Sequence, residues 1–100
     1  MFGNIENSAG ERLDYSFHEG SADSRDIVVI GHGVTGNKDR PFVIALAEGL
    51  SSVGINALRF SFAGNGDSDG RFVDATISKE VKDLGSVLEM LQGYRVAYVG

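Results

Sequence analysis

Ile27-Val28-Val29-Ile30-Gly31-His32-Gly33-Val34-Thr35-Gly36-Asn37-Lys38 is the stretch on which the reading of the whole chain turns. Its first four residues are apolar at every position, as a strand covered on both faces of a parallel sheet requires. The glycines that follow let the backbone turn tightly, so that main-chain N–H groups can point at an anion. Beyond them, Pro41 suits the first turn of a helix, where its missing donor costs nothing. Phe42, Leu46, Leu50 and Val53 recur at helical spacing and predict one buried stripe, with Gly54 as the left-handed cap.

The pattern extends in both directions. Residues 55–62 alternate as a strand, and Ile77, Val81, Leu84, Leu88 and Leu91 predict a second amphipathic helix ending at Gly93. Residues 96–99 predict another buried strand. Upstream, residues 4–6 and 12–18 flank the turn-prone Asn7-Ser8-Ala9-Gly10, and Leu13, Tyr15 and Phe17 alternate with polar residues, which predicts a half-buried antiparallel hairpin. Hairpin, strand, helix, strand, helix, strand is an α/β order with right-handed parallel crossovers added to an antiparallel margin.

Composition narrows the function. Hydrophobic content of 42% with 23% charge is ordinary for one globular domain of 100 residues. A net charge of -5, with nine Lys and Arg residues in no run, argues against a nucleic-acid partner. No cysteine is present, and His18 and His32 alone are too few for a zinc centre, so no metal and no cofactor is expected. No apolar run reaches signal-peptide or membrane-span length, so the expected location is cytoplasmic, with no membrane partner.

Ligands of open α/β sheets bind beyond the carboxyl ends of the strands, which directs attention to the loops after Ile30, Phe62 and Val99. Residues 28–38 resemble the H-G-x-T-G-x-K segment of bacterial α/β-hydrolases, especially the branch that includes cinnamoyl and feruloyl esterases. The resemblance implies an oxyanion-hole loop made of Gly31, His32, Gly33, Thr35 and Gly36, with the backbone N–H of Val34 as the donor. That family usually has an aromatic residue where this chain has Val34; a backbone donor tolerates the change, but the aromatic contact with the acyl group is lost. Residues 59–70 are similar to the family's R-x-x-F-x-G-x-G-x-S-x-G segment, which shapes a loop without attacking substrate. The chain end looks like the strand that feeds the nucleophile elbow, with Gly100 as its first glycine.

Competing readings of the same residues are weaker. Residues 31–36 also match G-x-G-x-x-G, but a dinucleotide-binding helix begins at the third glycine, and here Asn37 to Pro41 delay it. Gly66 to Gly70 form a literal G-x-S-x-G, yet Ser68 lies six residues past Phe62 and is flanked by two aspartates, so it is not expected to be a nucleophile. Asn65, Asp67, Asp69 and Gly70 imitate a calcium loop whose bidentate position would fall on Thr76, so a solvated turn is the better reading. His32 reads as a brace for its loop through the ring nitrogens, since the resembling family takes its catalytic histidine from near the C-terminus. His18 reads as a surface residue.

The resemblance thus implies that residues 1–100 are the N-terminal portion of a single α/β-hydrolase domain. Its expected form is a partial three-layer sandwich, an N-terminal antiparallel hairpin followed by parallel β-α-β-α-β, truncated before the nucleophile elbow. The implied activity is that of a serine hydrolase cleaving small-molecule carboxylic esters through an acyl-enzyme, with the nucleophile, acid and base outside these residues and this chain alone inactive. The alternative is a non-catalytic binding or assembly module of the same ancestry. A central strand left at a margin is also expected to self-associate through its free edge.

Overall fold

The computed structural model describes residues 3–32, 36–71 and 76–100. Strands β1 (Ile5–Glu6) and β2 (Arg12–Leu13) pair antiparallel in a small sheet of their own. A four-stranded sheet contains β3 (Tyr15–His18), β4 (Asp26–Ile30), β5 (Asn56–Phe60) and β6 (Arg95–Val99) in the order β3-β5-β4-β6. Within it β4 is parallel to both β5 and β6, whereas β3 runs antiparallel to β5. Helix α1 (Pro41–Ser52) joins β4 to β5, and α2 (Ile77–Met90) joins β5 to β6.

The predicted order of elements is present, with one correction at the start. Residues 12–18 are two strands, because Asp14 separates them. Its carbonyl accepts the Ser61 N–H at 2.9 Å and its own N–H donates to Ser68 Oγ at 2.7 Å, which hands the chain from the hairpin to β5.

Alternation on β5 sorts the core into two layers. Leu58 and Phe60 face Val87 of α2 and Leu91 just after it, together with Ile27 and Val29 of β4. Ala57 faces the other way, onto Val43 and Ala47 of α1 with Ile30. The helices therefore cover opposite faces of one sheet, a three-layer sandwich.

Both helices are turned from the predicted stripes. In α1 the buried line is Val43 and Ala47, flanked by half-buried Leu46 and Leu50, while Phe42 and Val53 are each 72% exposed. Spacing alone assigns Phe42, Leu46, Leu50 and Val53 to one side, but the small Ala47 lets the helix lie close against β5 and rolls it by about one position. In α2 the buried line is Asp83 and Val87, continued by Leu91 just after the helix; Ile77 and Val81 are exposed at 82% and 65%. Gly54 does supply the predicted cap. At φ +89° its N–H reaches the Ser51 carbonyl and the Ile55 N–H reaches Leu50, the paired bonds of a Schellman ending.

The expected burial of residues 96–99 is not observed. Every residue of β6 is exposed, because it pairs only with β4 and no described element covers its other side.

Candidate active site

The three parallel strands end side by side, and their C-terminal loops converge at one end of the sheet. The Gly31 N–H donates to the Val99 carbonyl at 2.8 Å, carrying the β4–β6 ladder one residue further. The Tyr98 phenol lies directly over Gly31, whose place leaves no room for a Cβ. Gly100 is crowded by the same side chain, with Tyr98 ring and hydroxyl atoms 2.7 to 3.0 Å from where its Cβ would be. A side chain at either position would have to displace the Tyr98 phenol. Burial, followed by the Glu80 carboxylate, pushes the Tyr98 phenol above its ordinary pKa, so it stays a neutral donor at neutral pH.

Of the residues that the sequence assigns to the oxyanion loop, Gly31, His32 and Gly36 are described; Gly33, Val34 and Thr35 lie outside the described residues. His32 Nε2 accepts the Phe62 N–H at 3.0 Å, and its ring meets the Phe62 ring edge-on with centroids 5.1 Å apart. A nitrogen accepting that bond carries no proton, so the neutral ring holds its hydrogen on Nδ1. Lys38 N–H donates to the hydroxyl of fully buried Ser61 at 2.9 Å.

The loop after β5 is held by polar side chains that face inward. Ser68 Oγ accepts the Asp14 N–H and donates to the Ser61 carbonyl, both at 2.7 Å, and the residue is buried. Both uses of its hydroxyl tie loop to strand and hairpin. The Asp69 carboxylate accepts the Arg12 N–H at 2.9 Å and so ties this loop to the hairpin. Ala63 N–H donates at 2.9 Å to Asp83, whose other oxygen accepts the Asn7 amide at 2.8 Å.

Charge gathers behind Lys38. Its ammonium lies 3.3 Å from Asp14 and 2.9 Å from Asp39, and Arg59 reaches Asp39 at 2.7 Å and the Lys38 carbonyl at 2.9 Å. Hydrogen bonds from Lys38 and Arg59 hold the Asp39 carboxyl below its ordinary pKa. The carboxylates of Asp14, Asp39 and Asp67 approach one another within 4.8 Å, with the Lys38 ammonium against two of them. His18 is more than a surface residue, since its Nε2 accepts the Arg59 Nε–H at 2.9 Å. Burial, then the Arg59 charge, lowers its pKa despite the opposing pull of Glu48.

Sequence reasoning missed Asp83, Ser61 and Asn7. Asp83 could have been found, because it stands four and eight residues before Val87 and Leu91, a polar residue on an apolar line. Ser61 and Asn7 carry no such periodic signal.

This arrangement of a mixed sheet between two helices, with glycine loops at the parallel strand ends, is part of the α/β-hydrolase fold. Several solved structures share it. Est1E from Butyrivibrio proteoclasticus with ferulic acid bound is 24% identical over 97% of this chain, at a TM-score of 0.88. Alpha/beta hydrolase domain-containing protein 10 from mouse is 26% identical over 98%, at 0.80. An alpha-beta serine hydrolase homologue from Coxiella burnetii is 23% identical over 95%, also at 0.80. This chain spans 41%, 38% and 48% of those three chains respectively. No protein-family model matches it, and neither does any curated protein. No helix among the described residues is long and apolar enough to cross a membrane.

Proposed function

We propose that these residues form the oxyanion-loop half of a serine hydrolase that cleaves carboxylic esters. In this reading a serine two residues beyond Gly100 attacks the ester carbonyl. The Val34 N–H and the N–H following the nucleophile stabilise the tetrahedral oxyanion, and water then resolves an acyl-enzyme. An acid and a histidine from later strands complete the triad, and this chain alone is inactive because the triad works as a unit. Under the same reading the enzyme is cytoplasmic and needs no cofactor.

The observation that carries the reading is the contact between the two loops. Gly31, which immediately precedes the H-G-V-T-G segment, is one hydrogen bond from Val99 and shares the Tyr98 phenol with Gly100. An oxyanion hole needs its two donors within about 3 Å of one developing charge, so its two loops must begin side by side.

The test is turnover of a short p-nitrophenyl ester by the product of the source gene read past the Gly100 codon. Val34→Pro, which removes the N–H, is expected to lower kcat roughly 10²- to 10³-fold, and Val34→Ala, which keeps it, to leave most activity. Complete inertness of the extended protein, or equal activity of the two variants, would overturn the proposal.

A second reading, a non-catalytic assembly module, is favoured by one observation. The whole of β6 is exposed, and Val96, Tyr98 and Val99 present an apolar strand edge suited to pairing with another chain.

A further inference from the structure

We infer that His32 and Ser61 are paired positioning residues that grip the loop after β4 at both flanks. Three successive residues, 61–63, engage the loop after β4 twice and α2 once: Ser61 Oγ takes the Lys38 N–H, the Phe62 N–H goes to His32 Nε2, and the Ala63 N–H goes to Asp83. The first two bonds fall on opposite flanks of the loop, at residues 38 and 32.

A grip positions something only if the gripping segment is itself fixed. Residues 61–63 are fixed from behind. Ser61 N–H is held by the Asp14 carbonyl at 2.9 Å, the Ser61 carbonyl by the Ser68 hydroxyl, and Ala63 by the carboxylate of Asp83, which is 1% exposed. Phe62 is 4% exposed and stacks edge-on with Phe60 at 4.7 Å, so its N–H cannot turn toward water without unpacking the core. Hydrogen bonds of this kind are costly to leave unmade, because the abandoned donor stays buried.

The grip also constrains the chemistry of His32. Its Nε2 lone pair is committed to the Phe62 N–H, so that nitrogen cannot take a proton from a nucleophile while the loop is held. The ring therefore acts as an acceptor in one tautomer and works through the loop. This assignment of purpose rests on the oxyanion-loop reading; the grip itself does not, and the two are tested separately.

The experiment is NMR on this chain labelled with ¹⁵N, combined with amide hydrogen exchange. Long-range ¹H–¹⁵N correlation is expected to find His32 with its proton on Nδ1. His32→Phe keeps the ring edge but removes the acceptor, and is expected to speed exchange of the Phe62 amide roughly five- to tenfold. His32→Gln, which offers a carbonyl oxygen, is expected to restore most of that protection. Ser61→Ala is expected to act in the same way on the Lys38 amide, with Val29 in the core unchanged in all variants.

A proton on Nε2 in the wild-type chain, or unaltered Phe62 exchange in His32→Phe, would overturn the grip. If His32→Phe fails to fold, the wild-type tautomer decides alone. In the extended hydrolase, His32→Phe is expected to lower kcat with little change in KM, and His32→Gln to recover it. Altered exchange with unchanged ester turnover would keep the grip and overturn the oxyanion reading instead.

Discussion

The two margins of the four-stranded sheet are built in opposite ways. Beside β3 the chain closes on itself through polar groups. Asn7 uses its carbonyl for the Ala9 and Glu11 N–H groups and its amide for Glu11 and Asp83. Asp14, Ser68 and Asp69 tie hairpin to loop. No buried side-chain nitrogen or oxygen among the described residues is without a partner. At the β6 margin the surface is apolar and bare. Val96 and Tyr98 stand on the α2 face of the sheet, in register with Ile27 and Val29, and α2 leaves Ile77, Val81 and Leu88 exposed beside the core. One margin is complete within these residues; the other has a surface that a core would ordinarily cover.

The contrast can be broken from the sealed side first. Asp83→Ala would orphan the Ala63 N–H and the Asn7 amide in a buried site, and is expected to cost about 2–5 kcal/mol in urea unfolding. A loss below about 1 kcal/mol would mean that water replaces the carboxylate and that this margin is less tightly closed than its bonds suggest.

On the bare side, Val96→Lys places a charge on the free edge. It is expected to move the chain from associated species toward monomer in light scattering, with stability changed by no more than about 0.5 kcal/mol. Monomeric behaviour of the unaltered chain at high concentration would show that the edge needs no cover.

The smallest expected effect is on pH. His18 has a folded pKa below its ordinary value, so the unfolded chain binds the proton first. Its contribution is full above about pH 6.5 and is lost as pH falls through that value toward the folded pKa. Asp39 and Glu11 are also lowered, Glu11 by its bonds to Asn7 and then Lys79. Their contributions are present above about pH 4 and are lost as pH falls further. The melting temperature should therefore drop in two stages on acidification, and His18→Gln should remove the earlier one. A flat profile from pH 7 to 5 in the unaltered chain would contradict the His18–Arg59 bond.

What was legible in the sequence was what local chemistry decides. The continuous apolar run at Ile27-Val28-Val29-Ile30 marks a parallel strand, and Pro41 and Gly54 bracket α1, because each depends on a few neighbouring residues. The orientation of the helices was not legible. Whether Phe42 or Val43 meets the sheet depends on the depth of the groove above Ala57, which no spacing within α1 records. Apolar character predicted burial for β6, yet burial needs a neighbour as well as an apolar side chain. At the site, glycine spacing revealed the loop after β4, while the segment that grips it came from 30 residues downstream, where the hydrogen bond from Phe62 uses a main-chain N–H that no side-chain pattern marks.

Asp14 carries a consequence for how this chain can vary. It is the single residue between two pairings, with Leu13 registered to Ile5 and Tyr15 to Phe60. It therefore sets the parity of β3. Adding or deleting one residue there would exchange Tyr15 and Phe17, which pack on the α2 side, with Ser16 and His18, and would strand Arg59 without its imidazole partner. The turn at residues 7–10 can change length and leave the phase of the sheet intact, whereas the junction at Asp14 has to count correctly.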